Sequence, residues 1–126
     1  MNLDIAPGWS AELDRGPDWL FVRLHGDTPY ETEGTELAER VWCLLEQQLA
    51  HRIVIELDEI ALLRSHLVGE LVRLHKRVYA QEGIMRICGL SDSNYDVLRS
   101  SRLHNQFPRY QTREEAVMGA RPAQPR

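Results

Sequence analysis

At 126 residues the chain is long enough for one continuous core and too short for two. Hydrophobic residues at 43% and charged residues at 27% give the balance of a folded globular protein, which excludes a disordered chain and a disulfide scaffold. A formal charge of -4 and a pI near 5.7 argue against nucleic acid or an anionic membrane recognised through bulk electrostatics.

Met1 to Gly8 lack the basic stretch and apolar segment of a signal peptide, and no run approaches the roughly 18 apolar residues of a membrane span. A cytoplasmic chain is expected. Trp9 to Leu13 lead into Asp14-Arg15-Gly16-Pro17-Asp18, a dense set of turn formers, and Trp19 to His25 follow with strong alternation. The pattern predicts a β-hairpin as the first two strands. Gly26-Asp27-Thr28-Pro29 breaks the second strand. Leu37, Val41, Leu44, Leu45 and Leu49 then recur at three- and four-residue spacing, so an amphipathic helix is expected from about Thr35 to Ala50, with Glu36, Glu39, Arg40, Glu46 and Gln47 wet.

Arg52 to Leu57 is a short β-branched run of the kind covered on both faces. Asp58-Glu59 turns the chain, and Ile60-Ala61-Leu62-Leu63 is a strand end or a loop that plugs the core. Ser65 is placed as the N-cap of a helix reaching about Gln81, with Val68, Leu71, Val72, His75, Val78 and Tyr79 inward and Arg73, Lys76 and Arg77 outward. Glu82-Gly83 stops it, and Ile84 to Cys88 is the next strand. Ser91 or Asp92 caps a short helix over Tyr95 to Ser101, a last short strand is expected near Phe107 to Tyr110, and Thr112-Arg113-Glu114-Glu115 has the capping-box spacing for a final helix ending by Gly119. Residues 120–126 read as a frayed tail, leaving one domain with a core over about 9–119. Strands alternating with helices after an opening hairpin define an α/β class with a mixed sheet of four or five strands and about four helices.

Chemistry is sparse along this frame. Cys43 and Cys88 each sit in an apolar run and are read as packed, free thiols in a reducing compartment. His66 and Glu70 have i, i+4 spacing but no third ligand on their face, so no metal is expected, and His75 is read as a partly buried histidine donating one hydrogen bond. No nucleophile elbow, phosphate loop or His-Glu-x-x-His pair is present, which argues against an enzyme and gives no cofactor. The stripe Arg73, Lys76, Arg77, taken with Arg64 and Arg99, is either a solvated face or a basic patch for an acidic protein surface.

The stretch Ile53 to Gly89 resembles the central part of the STAS family (sulfate transporter and anti-sigma factor antagonist): a buried strand, an acidic turn, an apolar tetrad, a serine at a helix start, a glycine one turn in, then Glu-Gly and a strand. The similarity runs over roughly Ala11 to Met118. The family motif Asp-Ser-Ser/Thr-Gly reads here Arg64-Ser65-His66-Leu67, Gly69 matches a second family glycine, and Asp92-Ser93-Asn94 stands where the third helix begins. In the first loop, Gly26-Asp27-Thr28-Pro29 replaces a Gly-Glu-Leu-Asp-like sequence, with Pro29 at the usual aspartate. The resemblance implies a protein that binds a partner, an anti-sigma factor or kinase-like regulator, through Asp27, Arg64, Ser65, His66, Gly69 and Arg73, with Ser65 as the phosphorylated switch. It equally accommodates a STAS-like scaffold or homodimer subunit that has lost the switch. A small-molecule sensor is a third reading.

Overall fold

Alternating apolar residues give a strand one buried face, and the twofold period assigns every side chain here to one of two sides. The structure, a computed structural model, describes residues 2–6, 9–26 and 37–119. Its elements run β1 (Asn2–Ala6), β2 (Trp9–Arg15), β3 (Leu20–Gly26), α1 (Leu37–Gln47), β4 (Arg52–Glu56), α2 (Ser65–Ala80), β5 (Ile84–Cys88), α3 (Asp92–Ser100) and α4 (Arg113–Met118). The five strands form one mixed sheet in the order β1-β2-β3-β4-β5, antiparallel from β1 to β3 and parallel from β3 to β5.

The predicted hairpin is β2 and β3, registered with Trp9 opposite Gly26 and Arg15 opposite Leu20. It is not the start of the sheet. Asn2 to Ala6 add an outer strand that the sequence pattern does not announce, since five residues of edge strand need not alternate. The expected strand at Phe107 to Tyr110 is replaced by a single parallel bridge from Cys88 to Tyr110, because Pro108 has no N–H to donate to a ladder.

Leu20, Val22, Leu24, Ile53, Ile55, Met85 and Ile87 point to the side where α1 and α2 pack, and they share one core with Leu37, Val41, Leu45, Leu67, Leu71, Leu74, Val78 and Leu98. Both long helices therefore bury their stripes on the same face, as their spacing predicts. The stripe of α2 is turned from the expected one. Leu67 and Leu74 are buried and Tyr79 is exposed, because α2 also packs against α1 and so rotates toward it. The opposite face holds a smaller cluster, Trp19, Val54, Cys88, Tyr110 and Ala116, under α4. Central β4 is thus covered on both sides, which its β-branched run requires.

Helix ends follow local chemistry. Thr112 Oγ1 accepts from Glu115 N at 3.2 Å while Glu115 Oε1 accepts from Gln111 N at 3.0 Å, a reciprocal cap for α4. Gly83 follows α2 where a Cβ would lie 2.4 Å from the carbonyl oxygen of His51, so only glycine lets the chain pass β4. After α1, Ala50 N reaches back to Leu45 O at 3.0 Å, and Leu49 between them takes φ 54°, the left-handed position glycine usually fills. The expected helix start at Thr35 and Glu36, the turn at Thr28 and Pro29, and the 120–126 tail lie outside the described residues.

Candidate functional site

Loop 57–64, between β4 and α2, fixes where α2 begins. Ile60 and Leu63 are buried anchors, whereas Ala61 and Leu62 between them are exposed. Asn94, in the first turn of α3 and 1% exposed, closes this loop from inside. Its Oδ1 accepts from Leu63 N at 2.8 Å and its Nδ2 donates to Ile60 O at 3.0 Å. A carboxamide can satisfy an N–H and a C=O together, and here it does so on the two sides of the Ala61-Leu62 tip. The tip is anchored on both sides. Asn94 is itself set by Ser91, the N-cap of α3, whose Oγ accepts from Asn94 N at 3.1 Å. Sequence reading places Asn94 at the helix start without this role; a lone asparagine carries no signal that its amide will be buried.

Arg64 is the N-cap of α2, with φ -87° and ψ 159°, and its side chain makes no capping bond. Ser65 is therefore the first residue inside the helix, not its cap. The cause is the pinned loop: with Leu63 held by the core and by Asn94, helical geometry starts at once, and Val68 N bonds to Arg64 O at 3.0 Å. Ser65, Gly69, Arg73 and Lys76 fall within an arc of about 80° of the helix circumference, and all four are exposed. His66, half-buried, borders that arc. Leu67 does not belong to this surface, since its isobutyl group is in the main core. Asp27 lies outside the described residues.

Gly69 has open space where a Cβ would stand, with nothing within 4 Å. Packing does not demand a glycine there, although it costs a helix about 1 kcal/mol relative to alanine. Arg73 is 79% exposed in its side chain and lies 3.6 Å from Glu70, a buried carboxylate that also accepts from Ala38 N at the start of α1. Arg77 pairs with Glu39 and stacks over Trp42, and Arg99 pairs with Asp96 at 3.2 Å. The expected patch is thereby reduced to Arg64, Arg73 and Lys76. Among the described residues, no carboxylate pairs with Arg64 or Lys76.

The remaining chemistry-bearing residues settle into structural roles. Among the described residues no group of three or more His, Cys, Asp or Glu is placed to hold a metal. His75 stacks on Tyr79 and meets the edge of Phe107, and its Nδ1 and Gln106 Nε2 share a hydrogen bond of 3.1 Å; burial holds its pKa below the usual histidine value. Cys88 is buried, and desolvation pushes its thiol up to about 12. Cys43 corrects the packing expectation. It is exposed, because the stripe of α1 runs through Leu37, Val41 and Leu45.

Across the sheet, a cavity of roughly 430 Å³ is lined by Arg23, Glu56, Asp58, Cys88 and Arg113. Both of its arginines are engaged by carboxylates. Buried Glu56 is gripped by Arg113 and lies 2.9 Å from Arg23, at an angle that makes no hydrogen bond on Oε2, and Arg113 also pairs with Asp14 at 2.6 Å. With Arg86 donating to the carbonyl of Ala116 at 2.9 Å, Arg86 and Arg113 fasten α4 to the sheet.

No protein-family model matches the sequence, and no curated protein matches it. Solved structures do. An anti-sigma factor antagonist from Mycobacterium paratuberculosis is similar with a TM-score of 0.73 at 15% identity, over 90% of this chain and 95% of that one. An anti-sigma-factor antagonist (STAS) domain protein from Planctomyces limnophilus gives 0.67 at 20% identity, over 86% and 96%. The Bacillus cell fate determinant SpoIIAA in its phosphorylated form gives 0.60 at 18% identity, over 86% and 97%. Among the described residues no helix is long and apolar enough to cross a membrane. Five strands in this order, two helices on one face and a helix starting at an exposed serine accordingly give this chain the fold of the anti-sigma factor antagonist, or STAS, domains.

Proposed function

We propose that the chain is a protein-binding regulatory module of the anti-sigma factor antagonist type, acting by contact and not by catalysis. Its binding surface is the loop ending at Arg64 and the exposed face of the helix starting at Ser65, and its partner is an anti-sigma factor or a kinase-like regulator in the cytoplasm. The observation that carries this reading is the start of α2: an exposed serine, followed one turn on by a glycine that no packing contact requires, beside a loop fixed from inside. A helical glycine that nothing touches leaves room for something else to approach. Several neighbours in fold are anti-sigma factor antagonists, and the SpoIIAA structure is of the phosphorylated form.

A phosphate on Ser65 would sit at the positive end of α2, beside Arg64. A second reading, a scaffold or homodimer subunit of the same fold without a switch, is favoured by Leu67: the fourth motif position is now a core side chain. The test is a pull-down read by mass spectrometry, followed by calorimetric titration of the partner against wild type, Ser65→Ala and Ser65→Asp. Binding kept by Ser65→Ala and weakened by Ser65→Asp supports the switch. Equal binding by all three assigns the second reading, as does self-association alone.

A further inference from the structure

Leu62 is an apolar side chain that the fold deliberately leaves outside. It is 53% exposed, yet Ile60 and Leu63, which flank the Ala61-Leu62 tip, are both buried and tied by Asn94 through bonds of 3.0 and 2.8 Å. A side chain on a tip anchored at both ends has less backbone freedom to lose when a partner covers it, which favours an apolar anchor at a protein interface. The next exposed positions along the chain are Arg64 and Ser65, and from there Gly69, Arg73 and Lys76 continue along one face of α2 for about 16 Å. Among the described residues the cations on the exposed face of α2 outnumber its carboxylates, while the loop before Leu62 carries two exposed acids, Asp58, paired with Arg23, and Glu59. Glu70, the acid nearest to Arg73, is buried and already shared with Ala38 N, while Arg77, one turn beyond Arg73, and Arg99 are already paired with Glu39 and Asp96.

We infer that the partner presents an apolar pocket with an acidic surface running from one side of it, Leu62 filling the pocket and Arg64, Arg73 and Lys76 pairing with the acids along that side. The inference rests on the proposed binding surface and adds the chemistry of what binds there. A cationic face on a chain of net charge -4 is local, so it serves steering and register on a matching acidic patch. Nucleic acid is the other polyanion such a face could meet. The net charge disfavours it, because the rest of the surface would repel a long phosphate backbone. Gly69 lies between Ser65 and Arg73 on the same arc, and its missing side chain lets the partner's backbone approach the helix there.

The test places a photo-crosslinking amino acid at position 62, and in a separate variant at position 49 as a remote control, in the full chain expressed in its native cells. The protein cross-linked from position 62 is then purified and titrated by calorimetry at about 50 and 300 mM salt. A protein captured from position 62 whose Kd rises at least tenfold with salt, at least tenfold in Leu62→Ala and further in Arg64→Glu/Arg73→Glu supports the inference. A protein captured there whose Kd ignores salt and charge reversal leaves the binding surface standing and overturns the acidic partner. A nuclease-sensitive product overturns both the acidic protein and the protein-binding reading. Capture from position 49 alone, or from neither position, overturns both as well.

Discussion

Replacing Asn94 with alanine removes the clamp that presents the candidate surface. The side chain is 1% exposed, and its loss strands a buried N–H at Leu63 and a C=O at Ile60, formerly bonded at 2.8 and 3.0 Å. Each orphaned group costs about 1–3 kcal/mol, and partial relaxation of the loop lowers the sum, so about 2–4 kcal/mol of unfolding free energy should be lost. A domain with the usual 5–15 kcal/mol stays folded after such a loss, but the loop opens locally far more often. Urea unfolding at 25 °C measures the first effect, and hydrogen exchange at the Leu63 amide measures the second. Asn94→Asp keeps an acceptor for Leu63 N but sets a buried carboxylate against Ile60 O, where it repels the carbonyl unless it binds a proton, so this variant should lose stability as pH rises. A loss below about 0.5 kcal/mol in Asn94→Ala, with Leu63 protection unchanged, would show that the clamp does not hold the loop.

Leu49 sits at φ 54° and is 82% exposed, so Leu49→Gly should stabilise the protein by about 1 kcal/mol in equilibrium denaturation, and a destabilisation would refute the strain assigned there. His75 has its pKa lowered from 6.5 by burial, so the unfolded chain takes up its proton first as pH falls. Its contribution is present above pH 6.5 and is lost as pH drops through the unfolded and then the folded value; His75→Gln should flatten stability between pH 7 and 5, and an unchanged profile would contradict this. Cys43 should react with an alkylating reagent in the native protein while Cys88 reacts only after denaturation, as mass spectrometry can count. Rapid native labelling at Cys88 would mean that α4 does not cover it.

Local rules were enough for most of the frame. The Gly16-Pro17 turn, the spacing of Leu37, Val41 and Leu45, the β-branched run at 53–55 and the capping box at Thr112 each encode their element within a few residues, and the mixed α/β class follows from their order. Whatever depended on a distant neighbour was not legible. The strand at Asn2–Ala6 exists because β2 offers it an edge, and residues 107–110 fail as a strand because Pro108 cannot pair. The rotation of α2 against α1 decides that Leu67 is core and Tyr79 is surface, which periodicity alone leaves open by one position. At the candidate site, sequence supplies the serine, the glycine and the arginines. Only tertiary structure makes Ser65 the first helical residue instead of the cap, because that depends on an amide contributed 29 positions further on, by Asn94, whose bonds fix the loop before the helix begins.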